Sequence, residues 1–143
     1  MSRLFFNPFT GQFFKIIARR RKARKAPTGP RVEEMRTQAR EQLPPRLAQL
    51  AARYGFSYNR VVIKNNISNW GSCSSKKNIN LNLRLVTLPQ ELQDYVMLHE
   101  LCHLRHLNHG PEFHALLDTL CADCFPNKNA RTLAGQLRAY KLV

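Results

Sequence analysis

Hydrophobic and polar residues alternate most cleanly between Lys77 and Leu85, with Ile79, Leu81, Leu83 and Leu85 on one side and Asn78, Asn80, Asn82 and Arg84 on the other. A period of two over this length predicts a half-buried strand with one polar face. Val61-Val62-Ile63, closed by Asn65-Asn66, predicts a shorter buried strand. The rest of the pattern is helical. Val32, Met35 and Ala39 are spaced for a helix from Val32 to Gln42, and Leu47, Leu50 and Ala51 for another from Arg46 to Tyr54. Pro44-Pro45 should break the chain between them, and Gly55 stands where a C-terminal glycine is expected. Thr87-Leu88-Pro89-Gln90 has the form of a helix start, with a Thr cap, Pro in the first turn and Gln three residues on. The helix it opens bears Leu92, Tyr95, Val96, Leu98 and Cys102. It should reach His106, because Asn108 and Gly110 both tolerate left-handed backbone. Pro111-Glu112 starts a further helix with Phe113, Leu116, Leu117 and Leu120 as its core stripe. Phe125-Pro126-Asn127 ends it, and Lys128 to Tyr140 forms the last helix.

Composition changes this picture at one end only. The 143 residues suit one folded domain, and the apolar fraction of 43% is ordinary. The charge is not ordinary: 23 basic against 9 acidic residues give +14, and residues 1–31 hold nine of the basic residues and no acid. The chain therefore divides into a basic, Phe-rich N-terminal arm and linker, 1–31, and a mildly basic domain, 32–143. The arm contains five of the eight phenylalanines, then Arg19-Arg20-Arg21-Lys22-Ala23-Arg24-Lys25, then the linker-like Ala26-Pro27-Thr28-Gly29-Pro30. Three readings suit it: a disordered or loosely docked solvated tail, an arm whose residues 15–25 contact nucleic acid phosphates, or a segment lying on an anionic membrane surface. No run of about 18 apolar residues is present, which argues against a membrane span. The N-terminus is apolar first and basic afterwards, the reverse of a signal peptide. Cys73, Cys102, Cys121 and Cys124 do not form a secreted-type framework and suit reduced thiols in the cytoplasm. Cys121-x-x-Cys124 lacks a matching pair for a second metal site. The pattern specifies no oligomeric state.

The chemistry concentrates in one segment. All five histidines, His99, His103, His106, His109 and His114, fall within sixteen residues, and the run opens as His99-Glu100-Leu101-Cys102-His103. On a helix, His99 and His103 project about 40° apart with about 6 Å of rise between them, so both imidazoles can reach one zinc ion. Glu100 points about 60° from His103, beside the metal, where a general base would meet water. A catalytic zinc needs one more protein ligand and an open position. His106 shares the metal-facing side of a straight helix but lies about 10.5 Å along the axis from His99, too far for three ligands to converge. His109 lies past the turn and can return to the site, so it is the favoured third ligand. His106 is then an outer neighbour of the site, and His114 a candidate for touching substrate. Trp70, in the turn-rich run Trp70-Gly71-Ser72-Cys73-Ser74-Ser75, is either a core anchor or a wall of the cleft.

These residues resemble the YgjP-type zinc metallopeptidases, relatives of the SprT/Spartan-type metalloproteases. The likeness covers roughly Arg60 to Leu117. It rests on Trp70-Gly71-Ser72-Cys73-Ser74, on Ile79-x-Leu81-Asn82-x-Arg84-Leu85, on Pro89 and Asp94-Tyr95-Val96, on His99-Glu100-Leu101-x-His103, and on Asn108-His109 with Phe113. It implies a compact α+β zincin-like domain, a small sheet packed on the helix bearing the His-Glu motif, and further helices at both ends. It also implies zinc (Zn2+) on His99, His103 and His109, with Glu100 as the catalytic acid. The chain departs from the family pattern at Asn69, where Arg is frequent, and at His114, where an aromatic residue often follows the phenylalanine. The spacing of the three histidines also equals that of metzincins, but His106 replaces their turn glycine and no Met-turn follows.

The expectation is a zinc-dependent hydrolase, most plainly a peptidase acting on peptide or protein substrates. The polar-faced strand Lys77–Leu85 could offer an edge to an extended peptide. The alternatives are the same metal chemistry on a nucleotide phosphoanhydride, or a nucleic-acid-binding protein with a structural zinc.

Overall fold

The computed structural model describes residues 3–7, 12–16 and 24–142. In chain order these form β1 (Arg3–Asn7), β2 (Gln12–Ile16), α1 (Pro30–Tyr54), β3 (Arg60–Lys64), β4 (Gly71–Cys73), β5 (Asn78–Asn82), a 3-10 turn (Leu83–Thr87), α2 (Gln90–His103), α3 (Pro111–Cys124) and α4 (Ala130–Arg138). β1 and β2 pair antiparallel, with Phe5 opposite Phe14. Part of the arm is thus an antiparallel pair of strands. Two apolar runs flanking Asn7-Pro8 and Gly11 are a sequence signal for it. Most of the basic run, residues 19–23, lies outside the described residues.

α2 is the centre of the molecule. Every residue from Leu92 to His103 is buried, polar ones included, as in a helix enclosed on all sides. α1 is held to it by Arg46, whose Nε and Nη2 donate to the two Asp94 carboxylate oxygens at 2.9 and 2.8 Å. The expected break in α1 does not occur. Pro44 and Pro45 lie inside one continuous 25-residue helix. The two missing N–H groups would have met the carbonyls of Arg40 and Glu41, both exposed residues. Leu43, Leu47 and Leu50 are almost fully buried, each worth about 1.5–3 kcal/mol, enough to offset a proline penalty of about 3 kcal/mol. Gly55 closes α1 in the left-handed region at φ 73°, as its position predicts.

The sheet has the order β3-β5-β4, β3 running parallel and β4 antiparallel to β5. Three expectations about Lys77–Leu85 change here. The strand stops at Asn82, because the Asn82 side chain accepts from the Arg84 backbone N–H and turns the chain into the 3-10 segment. Asn82 and Arg84 do not face solvent; they are 1% and 8% exposed. β5 is also the middle strand, so it has no edge to offer a peptide. The edges are β3 and β4, and β4 occupies what reads from sequence as loop.

The helix start also differs. Thr87 belongs to the 3-10 turn, its Oγ1 donating to the Arg84 carbonyl. Pro89 is the N-cap of α2, and no side chain caps it. α2 ends at His103, three residues before the expected His106. The Cys102 carbonyl accepts from both Arg105 and His106 N–H groups there, reversing the chain. α4 is shorter than expected, because the Asn129 side chain caps it by accepting from the Thr132 N–H.

Candidate metal centre

α2 presents His99 and His103 from successive turns, and the early end of the helix brings His109 back across them. One ligand atom from each of the three lies within 4.8 Å of the others. The Nε2 atoms of His99 and His109 stand 3.4 Å apart. Two nitrogens at about 2.0–2.1 Å from a tetrahedral zinc are themselves about 3.3–3.4 Å apart, so the spacing suits a shared ion. His103 directs its Nδ1 at the His106 carbonyl, 3.0 Å away. That contact fixes the ring and leaves Nε2 for the metal side. Burial holds the His103 imidazole below its usual pKa, in the neutral form that ligands require.

Phe113 is the floor of this cluster. It is fully buried, stacks on His103 at 4.5 Å between ring centroids, and meets His99 and His109 edge-on at 5.0 and 4.6 Å. Its place in the α3 stripe marks it from sequence as core. The stacking is a consequence of the loop that no periodicity shows.

Glu100 is 0% exposed, and neither carboxylate oxygen has a hydrogen-bond partner among the described residues. His99 Nδ1 lies 3.5 Å from Oε1. Burying an anion this deeply is costly without a nearby cation. A divalent ion on the three imidazoles would supply one, and three histidines leave a coordination position open. The residues present therefore fit a catalytic metal.

The site opens into a cleft of about 190 Å³ lined by Asn69, Gly71, Ser72, Cys73, Glu100, His103, Leu107 and His109. β4 forms one wall. Gly71 allows a close approach there: a Cβ would come within 3.1 Å of Glu100 Cγ and 3.2 Å of the Asn80 carbonyl. Trp70 is 6% exposed and belongs to the core; it is absent from the cleft lining. His106 is outside the helix, half-buried, with Nδ1 3.4 Å from a Glu112 carboxylate oxygen. His114 is exposed, its ring 6.3 Å from that of His109. None of the four cysteines is in a disulfide, and Cys121 and Cys124 join no metal-capable group among the described residues.

Fold and site together define a metal-dependent hydrolase of α+β type. The chain belongs to the YgjP-like family, whose metallopeptidase domain matches residues 17–132. Two solved structures share the fold at a TM-score of 0.57. The metallopeptidase zymogen of Pyrococcus abyssi abylysin is 20% identical, over 68% of this chain and 93% of its own. The metallopeptidase zymogen of Methanocaldococcus jannaschii jannalysin is 21% identical, over 68% and 95%. No curated protein sequence matches the chain. Among the described residues, no helix is long and apolar enough to cross a membrane.

Proposed function

We propose that this metallopeptidase is zinc-dependent, that His99, His103 and His109 hold the ion, and that Glu100 is the general base and then the general acid. The observation that carries the proposal is the convergence of three imidazole nitrogens within 4.8 Å beside a fully buried carboxylate. Zinc, when bound, supplies Lewis acidity toward the carbonyl and makes water acidic enough to deprotonate near neutral pH. Glu100 takes the proton from the attacking water and delivers it to the leaving amine nitrogen. Gly71 lets β4 approach close enough to hold that carboxylate in place. β4 pairs with β5 on one side only among the described strands. Its other side is the edge along which an extended peptide can lie by strand addition.

A phosphoanhydride substrate suits the cleft poorly, because no Arg or Lys is among its described lining residues. The four unpaired thiols support a reducing, cytoplasmic setting. The basic arm suits nucleic acid contact through residues 15–25, expected as salt-sensitive RNA or DNA binding that disappears on deleting residues 1–26. Salt-independent binding would sink that reading.

The test of the catalytic reading compares zinc-loaded wild type with Glu100→Gln on an unfolded protein substrate, with metal content measured on both. Cleavage by the wild type alone, at equal zinc, is expected. Full activity in Glu100→Gln, or phosphate release from nucleotides without protein cleavage, would refute it.

A further inference from the structure

Peptide hydrolysis places negative charge on the carbonyl oxygen, and a neutral hydrogen-bond donor aimed at that oxygen speeds the reaction. Most polar groups of the cleft are already engaged. His103 Nδ1 is directed at the His106 carbonyl, and Ser72 Oγ is tied to β5 by accepting from Asn80 Nδ2 at 3.0 Å, which leaves its own O–H as a second donor in the cleft. Cys73 Sγ points to the Ser74 carbonyl, and Glu100 brings only acceptors when ionised. Asn69 differs. It is half-buried on the cleft wall, and its side-chain amide makes no hydrogen bond among the described residues.

Its backbone, in contrast, is firmly held. Asn82 Nδ2 donates to the Asn69 carbonyl at 3.0 Å and to the Asn66 carbonyl at 2.8 Å. The Asn82 N–H donates to the Trp70 carbonyl at 2.9 Å. Asn82 is 1% exposed and Trp70 6%, so this clamp is inside the protein. Two residues after Asn69, Gly71 abuts Glu100. A side-chain amide without an internal partner among the described residues is therefore mounted on a firmly held turn, in the cleft that Glu100 also lines.

We propose that Asn69 is a substrate-binding catalytic residue whose side-chain N–H donates to the carbonyl oxygen of the peptide bond being cleaved. The Asn82 clamp is the positioning device behind it. The assignment rests on the peptidase reading above.

The test uses zinc-loaded full-length protein, wild type and two variants, Asn69→Ala and Asn69→Asp. Asp keeps the shape and loses the donor. In both variants kcat on a peptide substrate should fall about 10²–10³-fold, the range for loss of one such donor, with KM changed far less. Affinity for a phosphinic peptide, a stable tetrahedral analogue, should weaken in parallel by calorimetry, while zinc content and Tm stay at wild-type values. A wild type that cleaves peptides with both variants at its kcat would overturn the proposal alone. A loss that tracks zinc content or Tm would overturn it too, by making Asn69 structural. A zinc-loaded wild type that cleaves no peptide would instead overturn the parent reading, and this assignment with it.

Discussion

Replacing Gly71 by Ala tests whether the edge strand positions the general base. The added Cβ would lie 3.1 Å from Glu100 Cγ, 3.3 Å from its Oε1 and 3.2 Å from the Asn80 carbonyl. Comfortable carbon contacts are about 3.5–4.0 Å, so a neighbour must give by a few tenths of an ångström. Asn80 is in the middle of β5 and is paired on both sides, with Val62 and with Ser72. Glu100, on a side chain with rotatable bonds, must therefore yield. A misplacement of about 1 Å can cost about 10²-fold in rate, so about 0.3–0.4 Å is worth about fivefold. Overpacking should also cost about 1–3 kcal/mol of stability. The assay is kcat/KM on a peptide, with zinc content and urea unfolding measured on the same protein. The His ligands are untouched, so zinc should remain. Wild-type kcat/KM in a folded, zinc-loaded Gly71→Ala would refute the claim that β4 sets the Glu100 position.

Gly135 is the matching control: its nearest neighbour is the end of the Arg138 side chain at 3.8 Å, so Gly135→Ala should stabilise α4 by about 0.5–1 kcal/mol and leave activity alone. Arg46→Ala strands Asp94, which is 6% exposed and keeps only the Gln90 contact. It should lose about 1.5–3 kcal/mol in urea unfolding; a loss under about 0.5 kcal/mol would mean the pair behaves like a surface one. Burial, with the Glu100 carboxylate nearby, pushes the Cys73 thiol up to about 11. A raised thiol pKa means the reactive thiolate keeps accumulating as pH rises. In chelated protein, alkylation of Cys73 followed by peptide mapping should therefore accelerate about tenfold per pH unit up to about pH 10, where an ordinary thiol of pKa about 8.5 has levelled off. Levelling near pH 9 would contradict the buried setting of β4.

The clustering of His99, His103 and His109 was legible in the sequence because most of it follows from helix geometry. Two imidazoles four residues apart can reach one ion, and a third cannot do so from the same straight helix at His106. That α2 stops at His103 is a tertiary outcome, driven by the carbonyls of Cys102 and His106, and no spacing announces it. The alternation after Lys77 correctly marks a strand, yet it overruns. Asn82 and Arg84 continue the polar pattern by binding the 65–70 loop inside the protein, not by facing water. Pro44-Pro45 misleads for a related reason: the local penalty is real, but three buried leucines on the same face outweigh it. The central position of β5 was not legible, since strand order depends on long-range pairing. Gly71 and Asn69 acquire their meaning only once that order places β4 at the cleft.

The most direct test of the metal centre is the zinc stoichiometry of purified wild type, His109→Ala and His106→Ala. His106 supports His103 through its backbone carbonyl, which alanine retains. About one zinc per chain is expected in the wild type and in His106→Ala, with zinc lost from His109→Ala. Zinc retained in His109→Ala and lost from His106→Ala would contradict the three-histidine site.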